Sequence, residues 1–225
     1  MMRTLTVARP GRVAYDEAVR WQEALVDRRL MPGATDCLLL LEHPPVYTLG
    51  RGADPGFVSG GGDAAIPIVR TSRGGQVTYH GPGQLVGYPI LDLRDHRQDV
   101  RWYVHELEQV IIHALATFGI AGGRVADLPG VWIDGRRKIA SIGIAIRRWV
   151  SWHGFAVNVS ADLDGFAGIT PCGIDGVHMT SVAREGGPAD VDAVADAVLA
   201  TFMARFGYDE ARALLSAAPV VEVSA

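Results

Sequence analysis

The sequence predicts an α+β fold, a mixed and largely antiparallel sheet flanked by helices. Three segments have the spacing of amphipathic helices, and most of the remaining apolar runs are short. Predicted strands outnumber helices and several follow one another directly, so a regular strand–helix alternation is absent. The 225 residues are 48% hydrophobic and 20% charged, values typical of a globular protein. We expect residues 1–225 to form one domain with a substantial core.

The helices are predicted from apolar residues that recur on one face. Residues 15–30 begin with acidic side chains, which favour the N-terminal end of the helix dipole. Residues 99–118 carry the clearest apolar stripe, and Gly119 is expected to end it. Residues 190–206 repeat the pattern before Gly207.

The strands are predicted where apolar runs are bounded by turn residues. Asp134-Gly135 is a strong hairpin signal between two such runs. The Gly-rich residues 53–65 are expected to form a mobile surface loop. The predicted strands are residues 38–42, 66–70, 84–93, 131–134, 138–149 and 150–159.

Charge and composition exclude several classes of protein. The net charge is −4, so no overall basic field attracts nucleic acid. The apolar runs are too short to cross a bilayer and no signal-peptide pattern is present, so a cytoplasmic protein without membrane contact is expected. Two cysteines are too few for a disulfide scaffold, and neither H-E-x-x-H nor C-x-x-C occurs, so no metal site is predicted.

The most unusual stretch is residues 73–84, which reads RGGQVTYHGPGQ. Glycines let a backbone approach a ligand closely. Arg73 could bind a carboxylate or phosphate, and Tyr79 and His80 could donate hydrogen bonds or transfer protons. A tight polar hairpin without a ligand is the alternative. The stretch matches neither G-x-G-x-x-G nor a P-loop, and the chain has no G-x-S-x-G motif.

Cys172 and Lys138 are the candidate catalytic residues. Cys172 lies between a proline and a glycine, where a thiolate can be accessible, although it could simply fill a turn. His80, His178 or a lysine could supply the activating cation. Lys138 is the only lysine of the chain and begins an apolar strand. A desolvated lysine can lose its proton, which an arginine cannot, but an ordinary strand-end lysine is the alternative. Cys37 is interpreted as a small core residue.

Four blocks together resemble the lipoate-protein octanoyltransferase family. They are residues 73–84, the KIASIG of residues 138–143, the HGFAVN of residues 153–158 and the PCGI of residues 171–174. The blocks occur in the family's order, and the resemblance extends over most of the chain. Thr170 departs from the apolar residue more often found there.

The resemblance implies the fold of biotin and lipoate protein ligases and a two-step acyl transfer. Cys172 would take the octanoyl group as a thioester, and Lys138 would lower the pKa of that thiol and move protons. The implied substrate-binding residues are Arg73, Gly74, Gly75, Gln76, Val77, Thr78, Tyr79, His80, Ser141, Ile142, Gly143, Gly154, Phe155 and Ala156. Their small side chains would wall a narrow acyl tunnel.

The resemblance also implies the partners. Octanoyl-acyl carrier protein would be the donor. Lipoyl domains of 2-oxoacid dehydrogenase E2 subunits and the glycine-cleavage H protein would be acceptors. No cofactor is implied, and a monomer is expected. The alternatives are an ATP-dependent lipoate-protein ligase of the same fold, a non-catalytic binder of lipoyl domains or carrier proteins, and a cysteine thioesterase. Arg136, Arg137, Arg147 and Arg148 form either a docking cluster for an acidic carrier protein or an ordinary solvated surface.

Overall fold

The computed structural model describes residues 2–54, 56, 66–169 and 177–214. Its helices are α1 (Tyr15–Arg29), α2 (Val100–Ala116) and α3 (Val191–Phe206). Its strands are β1 (Thr4–Arg12), β2 (Cys37–Glu42), β3 (Val46–Leu49), β4 (Ile68–Arg70), β5 (Val77–His80), β6 (Gln84–Ile90), β7 (Gly122–Val125), β8 (Leu128–Ile133), β9 (Arg137–Arg147), β10 (Val150–Asn158), β11 (His178–Met179) and β12 (Glu210–Ala213). Short 3-10 helices span Leu93–Asp95 and Leu163–Gly168.

The described strands form two sheets. The larger has the order β12-β1-β2-β6-β10-β9-β8-β7, with β11 pairing alongside β9. Its β1–β2, β1–β12 and β9–β11 pairs are parallel, and its other pairs are antiparallel. The smaller sheet has the order β4-β3-β5. The α+β prediction of a mixed, largely antiparallel sheet flanked by helices is confirmed.

Local sequence explains where the helices begin and end. The side chain of Asp99 accepts a hydrogen bond from the backbone N–H of Trp102 (3.0 Å) and so caps the N-terminus of α2. Asp190 caps α3 in the same way. Gly207 ends α3 with a φ of 72°, a left-handed conformation that favours glycine.

The larger sheet is buried on both faces. Leu38 and Leu40 of β2 belong to a core cluster shared with α2 and α3, whereas Leu39 and Leu41 belong to a cluster shared with α1. Successive side chains of a strand point to opposite faces, so α1 packs on one face and α2 and α3 on the other. This arrangement explains why β2 reads as an uninterrupted apolar run.

Several strands were not predicted. β1 contains Pro10 and Gly11, and its pairing with β2 shifts register there, which removes the regular alternation that marks a strand. β5 lies inside the polar block of residues 73–84 that was interpreted as turn-like. β3, β7, β11 and β12 have four residues or fewer, too few to show a period.

The DG hairpin prediction is confirmed. Asp134 (φ 51°) and Gly135 (φ 66°) form the turn between β8 and β9.

Most of the predicted loop over residues 53–65 lies outside the described residues. Within the described part of the chain, no helix combines the length and hydropathy needed to cross a membrane.

Candidate active site

A cavity of about 260 Å³ opens beside β9 and β10. Its walls come from these two strands, from β5 and the residues leading into it, from β6, from the first residue of α1, and from the residues before and at the start of β8. The surface of the cavity is mainly apolar. Such a shape and lining are typical of a small-molecule site with a few polar contacts.

Two glycines facing each other form part of the wall. Gly143 of β9 pairs directly with Gly154 of β10. A Cβ at position 143 would lie 3.1 Å from the carbonyl oxygen of Gly74, and one at position 154 would lie 2.2 Å from that of Gly87. Glycine is therefore needed where β9 meets the segment from Arg73 to Gly75 and where β10 meets β6.

Arg73 holds that segment in place. Its Nη2 donates to the carbonyl oxygen of Thr48 (2.6 Å) and to the Thr48 hydroxyl (2.8 Å), and its Nη1 donates to the carbonyl of Gly74 (3.0 Å). The backbone N–H of Gly74 donates to the carbonyl of Ile144 in β9 (2.8 Å). The guanidinium thus joins the smaller sheet to the cavity wall.

Three buried histidines lie around this end of the cavity, His43, His80 and His153. Burial lowers the pKa of His43 to about 4, partly offset by its hydrogen bond to Val13. Burial and the neighbouring His43 lower the pKa of His80 to about 3, and burial and Arg73 lower the pKa of His153 to about 3. All three imidazoles are therefore neutral at pH 7.

A series of buried hydrogen bonds leads from the cavity to Thr180, the residue that follows β11. His80 Nδ1 donates to Gln84 Oε1 (2.7 Å), and Gln84 Nε2 donates to Asn158 Oδ1 (2.9 Å). Asn158 Nδ2 donates to the carbonyl of Thr180 (3.0 Å). These hydrogen bonds connect the blocks of residues 73–84 and 153–158 to the residues that follow segment 170–176.

Lys138 is 2% exposed and lines the cavity from β9. Its Nζ donates to the carbonyl oxygen of Pro129 (2.9 Å) and lies 4.8 Å from the centre of the Trp132 ring. Met179 of β11 pairs with Lys138, and the backbone N–H of Thr180 donates to its carbonyl (2.9 Å). An ordinary solvated lysine is excluded, because the ammonium is enclosed by protein.

The two cysteines differ. Cys37 is a free thiol, 4% exposed in the core, and burial raises the pKa of this thiol to about 12. The interpretation of Cys37 as a core residue is confirmed. Cys172 lies outside the described residues, as do Thr170 and Pro171. The chain is described again from Val177, five residues after Cys172, and joins β9 at His178 and Met179.

The structure brings most of the predicted substrate-binding residues to one cavity. Lining it are Arg73, Gly75, Gln76, Val77, Thr78, His80, Ser141, Ile142, Gly143, Gly154, Phe155 and Ala156. Gly74 and Tyr79 are not among the lining residues. Gly74 holds its segment to β9, and Tyr79 packs against Tyr47 and Phe166 in a separate cluster.

Sequence reasoning missed other lining residues, namely Tyr15, Val86, Tyr88, Asp127, Leu128, Pro129 and His153. His153 has a φ of 54°, which is unusual for a residue other than glycine or asparagine. The sequence did contain a signal for it, because His153 is the first residue of the HGFAVN block and directly precedes Gly154. Tyr15 begins a predicted helix, and nothing in its local pattern distinguishes it from a core residue. The LPG of residues 128–130 carries no motif by itself.

The four candidate docking arginines do not form one cluster. Arg137 begins β9 and Arg147 ends it, so an 11-residue strand separates them. Arg137 pairs with Glu185 and Arg147 with Asp27. The prediction of a single basic cluster is wrong, because the two arginine pairs lie at opposite ends of the 11-residue strand β9. Among the described residues, no group of three or more histidine, cysteine or acidic side chains could hold a metal ion.

Comparisons with known proteins identify the family of the chain and its fold. The family model of the lipoyl protein ligase A/B catalytic domain matches residues 14–203. An octanoyltransferase of Gloeobacter violaceus is 57% identical over 73% of this chain and 74% of its own length, and one of Solibacter usitatus is 48% identical over 92% and 96%.

Solved structures show the same fold. A lipoate-protein ligase A crystallised with ATP aligns over 96% of this chain and 91% of its own with a TM-score of 0.75 at 17% identity. A bipartite lipoate protein ligase of Thermoplasma acidophilum covers 96% and 89%, with a TM-score of 0.74 at 19% identity. At such identities the likeness concerns the fold alone. The sequence relatives and the family model carry the assignment, and the chain belongs to the octanoyltransferase family of enzymes within the lipoate and biotin protein ligase fold.

Proposed function

We propose that this enzyme moves an octanoyl group from octanoyl-acyl carrier protein, through a thioester on Cys172, to a lysine of a lipoyl domain. This is the first step of lipoate synthesis on proteins. The observation that carries the proposal is the mainly apolar cavity with the chain's only lysine buried in its wall.

The cavity accounts for the acyl group. Val77, Val86, Ile142, Phe155 and Ala156 offer apolar surface, and the Gly143–Gly154 pair keeps a channel open along β9 and β10. Burying the chain contributes about 0.8 kcal/mol per methylene, which favours a medium-length acyl group over a short one. The neutral imidazoles of His80 and His153 add no charge to desolvate beside it.

In the first step the Cys172 thiolate attacks the thioester carbonyl of the donor. A new C–S bond forms, the bond to the carrier breaks, and the carrier leaves as a thiol after taking up the proton that Cys172 gave up. In the second step the amine of the acceptor lysine attacks the enzyme thioester. The amide C–N bond forms, the Cys172 sulfur leaves, and the amine proton returns to it. Lys138 Nζ carries the proton in both steps, as general acid–base catalysis requires.

Cys172 is preferred over Cys37 as the nucleophile for a physical reason. The high pKa of the Cys37 thiol leaves almost no thiolate at pH 7, and its burial bars a substrate. Residues 177–180, which follow the Cys172 segment, are joined to the Lys138 strand. This connection supports placing the nucleophile near Lys138.

The proposal extends to partners and setting. The acceptors are lipoyl domains of 2-oxoacid dehydrogenase E2 subunits and the glycine-cleavage H protein. The chain acts as a cytoplasmic monomer and needs no cofactor, because the donor thioester is already activated. Water must be kept from the acyl-enzyme, and the mainly apolar lining of the cavity supports transfer over hydrolysis.

The deciding experiment is mass spectrometry of the protein after incubation with octanoyl-acyl carrier protein and no ATP. We expect the mass of one octanoyl group on the peptide that contains Cys172. We also expect its loss, with octanoylated lipoyl domain as product, when the acceptor is added.

Two cysteine variants serve as matched controls. Cys172→Ser should lose the thioester adduct, and Cys37→Ser should keep it. An adduct on Cys37, or transfer that requires ATP, would contradict the proposal. Release of free octanoate in the presence of acceptor would indicate a thioesterase instead.

A further inference from the structure

A buried carboxylate that does not line the cavity contacts the same peptide group as Lys138. Glu108 of α2 is 4% exposed. Its Oε1 accepts the backbone N–H of Gly130 (3.0 Å), and its Oε2 pairs with Arg124 Nε. None of the predicted site residues lies on α2, and the acyl-transfer chemistry proposed above leaves Glu108 without a role.

The Gly130 N–H and the Pro129 carbonyl belong to one peptide group. The oxygen of that group accepts from Lys138 Nζ, and its N–H donates to Glu108. In a trans peptide the oxygen and hydrogen point in opposite directions. Glu108 and Lys138 therefore hold the same peptide plane from its two ends.

The plane is also held close to Lys138. Gly130 has a φ of 127°, and a Cβ there would lie 2.4 Å from the Ala140 carbonyl oxygen and 2.8 Å from Lys138 Cε. The β8–β9 pairing shifts register between Val131 and Trp132, next to this point. The backbone at Gly130 is shaped to let Lys138 pass and meet the carbonyl of Pro129.

A carboxylate at one end of a peptide group affects the other end. A negative charge that accepts from the N–H polarises the group and makes its carbonyl oxygen a stronger acceptor. It also fixes the plane, because rotation would leave the buried Gly130 N–H without a partner. Both effects favour one orientation of the Lys138 ammonium.

We propose that Glu108 is a positioning residue for acyl transfer, which orients Lys138 by fixing and polarising the Pro129–Gly130 peptide. This inference rests on the proposed function of Lys138. Glu108 touches no substrate, so its effect should appear in turnover and leave substrate binding unchanged.

The test compares Glu108→Ala and Glu108→Gln in octanoyl transfer to a lipoyl domain. For Glu108→Ala we expect kcat to fall about tenfold or more with little change in KM for donor or acceptor, as the loss of one buried hydrogen bond predicts. Glu108→Gln keeps an acceptor for the Gly130 N–H and should recover a large part of the lost kcat. If Glu108→Ala fails to fold, the kcat and KM of Glu108→Gln can still be measured.

Glu106 provides the matched control. It is a buried carboxylate on the same helix, 7% exposed, and accepts from Arg205 Nε (2.8 Å) on α3. Glu106→Ala should lower the melting temperature but keep kcat. The inference is overturned if Glu108→Ala keeps the wild-type kcat, if its loss appears in KM, or if Glu106→Ala loses kcat equally. Failure of the wild-type enzyme to transfer octanoyl groups would instead overturn the proposed function.

Discussion

The ionisable side chains near the cavity differ in their charge and in their contacts. The imidazoles of His43, His80 and His153 are buried and neutral at pH 7, because burial lowers the pKa of each. Arg73 stays charged, but its N–H groups hold backbone and hydroxyl oxygens of the smaller sheet. Lys138 lines the same cavity and is the group to which we assign proton transfer.

The proton-transfer role of Lys138 predicts that Lys138→Arg abolishes octanoyl transfer although the charge is kept. Arginine does not release its proton at working pH, so kcat should fall by about a hundredfold or more. The measurement is steady-state transfer to a lipoyl domain, with circular dichroism to confirm folding.

Lys138→Met is the companion variant, with an uncharged side chain of similar length. It should be equally inactive. Wild-type turnover in either variant would remove Lys138 from proton transfer.

The residue types of the site were largely predictable. Lys138 stood out as a sole lysine, and the glycine-rich blocks marked most of the cavity wall. Tyr15 and Pro129 were not predictable, because each reaches the cavity only through the packing of α1 and β8. The pairing of Glu108 with the Gly130 N–H was equally invisible, since 22 positions separate the two residues.

At the scale of secondary-structure elements, the central strands of the sheet were predicted better than its edges. β2, β6, β9 and β10 are long apolar runs, and α2 and α3 have clear caps. The strands at the edges are shorter and depend on pairing with a neighbour. β5 was hidden by its polar surroundings, although all four of its residues are buried. A local sequence pattern predicts a strand or helix only where the element's own residues show a regular arrangement of apolar side chains.

The close contact of β10 with β6 predicts that Gly154→Ala is destabilising. The added Cβ would lie 2.2 Å from the Gly87 carbonyl oxygen and 2.7 Å from Pro89 Cδ, so the strands must separate. Such overpacking costs about 1–3 kcal/mol. The free energy of unfolding in urea measures the effect.

Gly123→Ala on β7 is the matched control. A Cβ there would meet no atom closer than 3.9 Å, so its free energy of unfolding should stay close to that of the wild type. Equal stability of the two variants would show that β10 and β6 are not in the close contact described.

At the scale of the whole molecule, buried polar groups join elements distant in sequence. Asp36, just before β2, accepts from Arg29 of α1 (2.7 Å), from Tyr208 after α3 (2.7 Å) and from the backbone N–H of Asp92 (2.9 Å). Burial alone would raise the pKa of the Asp36 carboxyl, but hydrogen bonds from His96, Arg29 and Tyr208 lower it to about 2. The helices on both faces are thus tied to the start of β2, inside the sheet, by a carboxylate that stays ionised.

The buried histidines make the stability of the molecule depend on pH. The pKa of His43 is lowered to about 4, and the pKa values of His80 and His153 to about 3, whereas unfolded histidine titrates near 6.5. Below pH 6.5 the unfolded chain therefore binds more protons than the folded one. The contribution of these imidazoles to the free energy of unfolding is complete above pH 6.5. It declines as the pH falls towards 4 for His43 and towards 3 for His80 and His153, by about 2 kcal/mol per imidazole at pH 5.

We therefore expect urea unfolding to show a much lower free energy of unfolding at pH 5 than at pH 7. His43 donates from Nδ1 to the Val13 carbonyl (2.7 Å) and accepts at Nε2 from the Tyr88 hydroxyl (2.7 Å). A glutamine also offers one donor and one acceptor, so it can replace both hydrogen bonds. Between pH 7 and pH 5, the free energy of unfolding of His43→Gln should therefore fall by about 2 kcal/mol less than that of the wild type. His113→Gln, at an exposed position of α2, should keep the wild-type dependence. Equal wild-type stability at pH 5 and pH 7 would contradict the neutral, buried state of these three imidazoles.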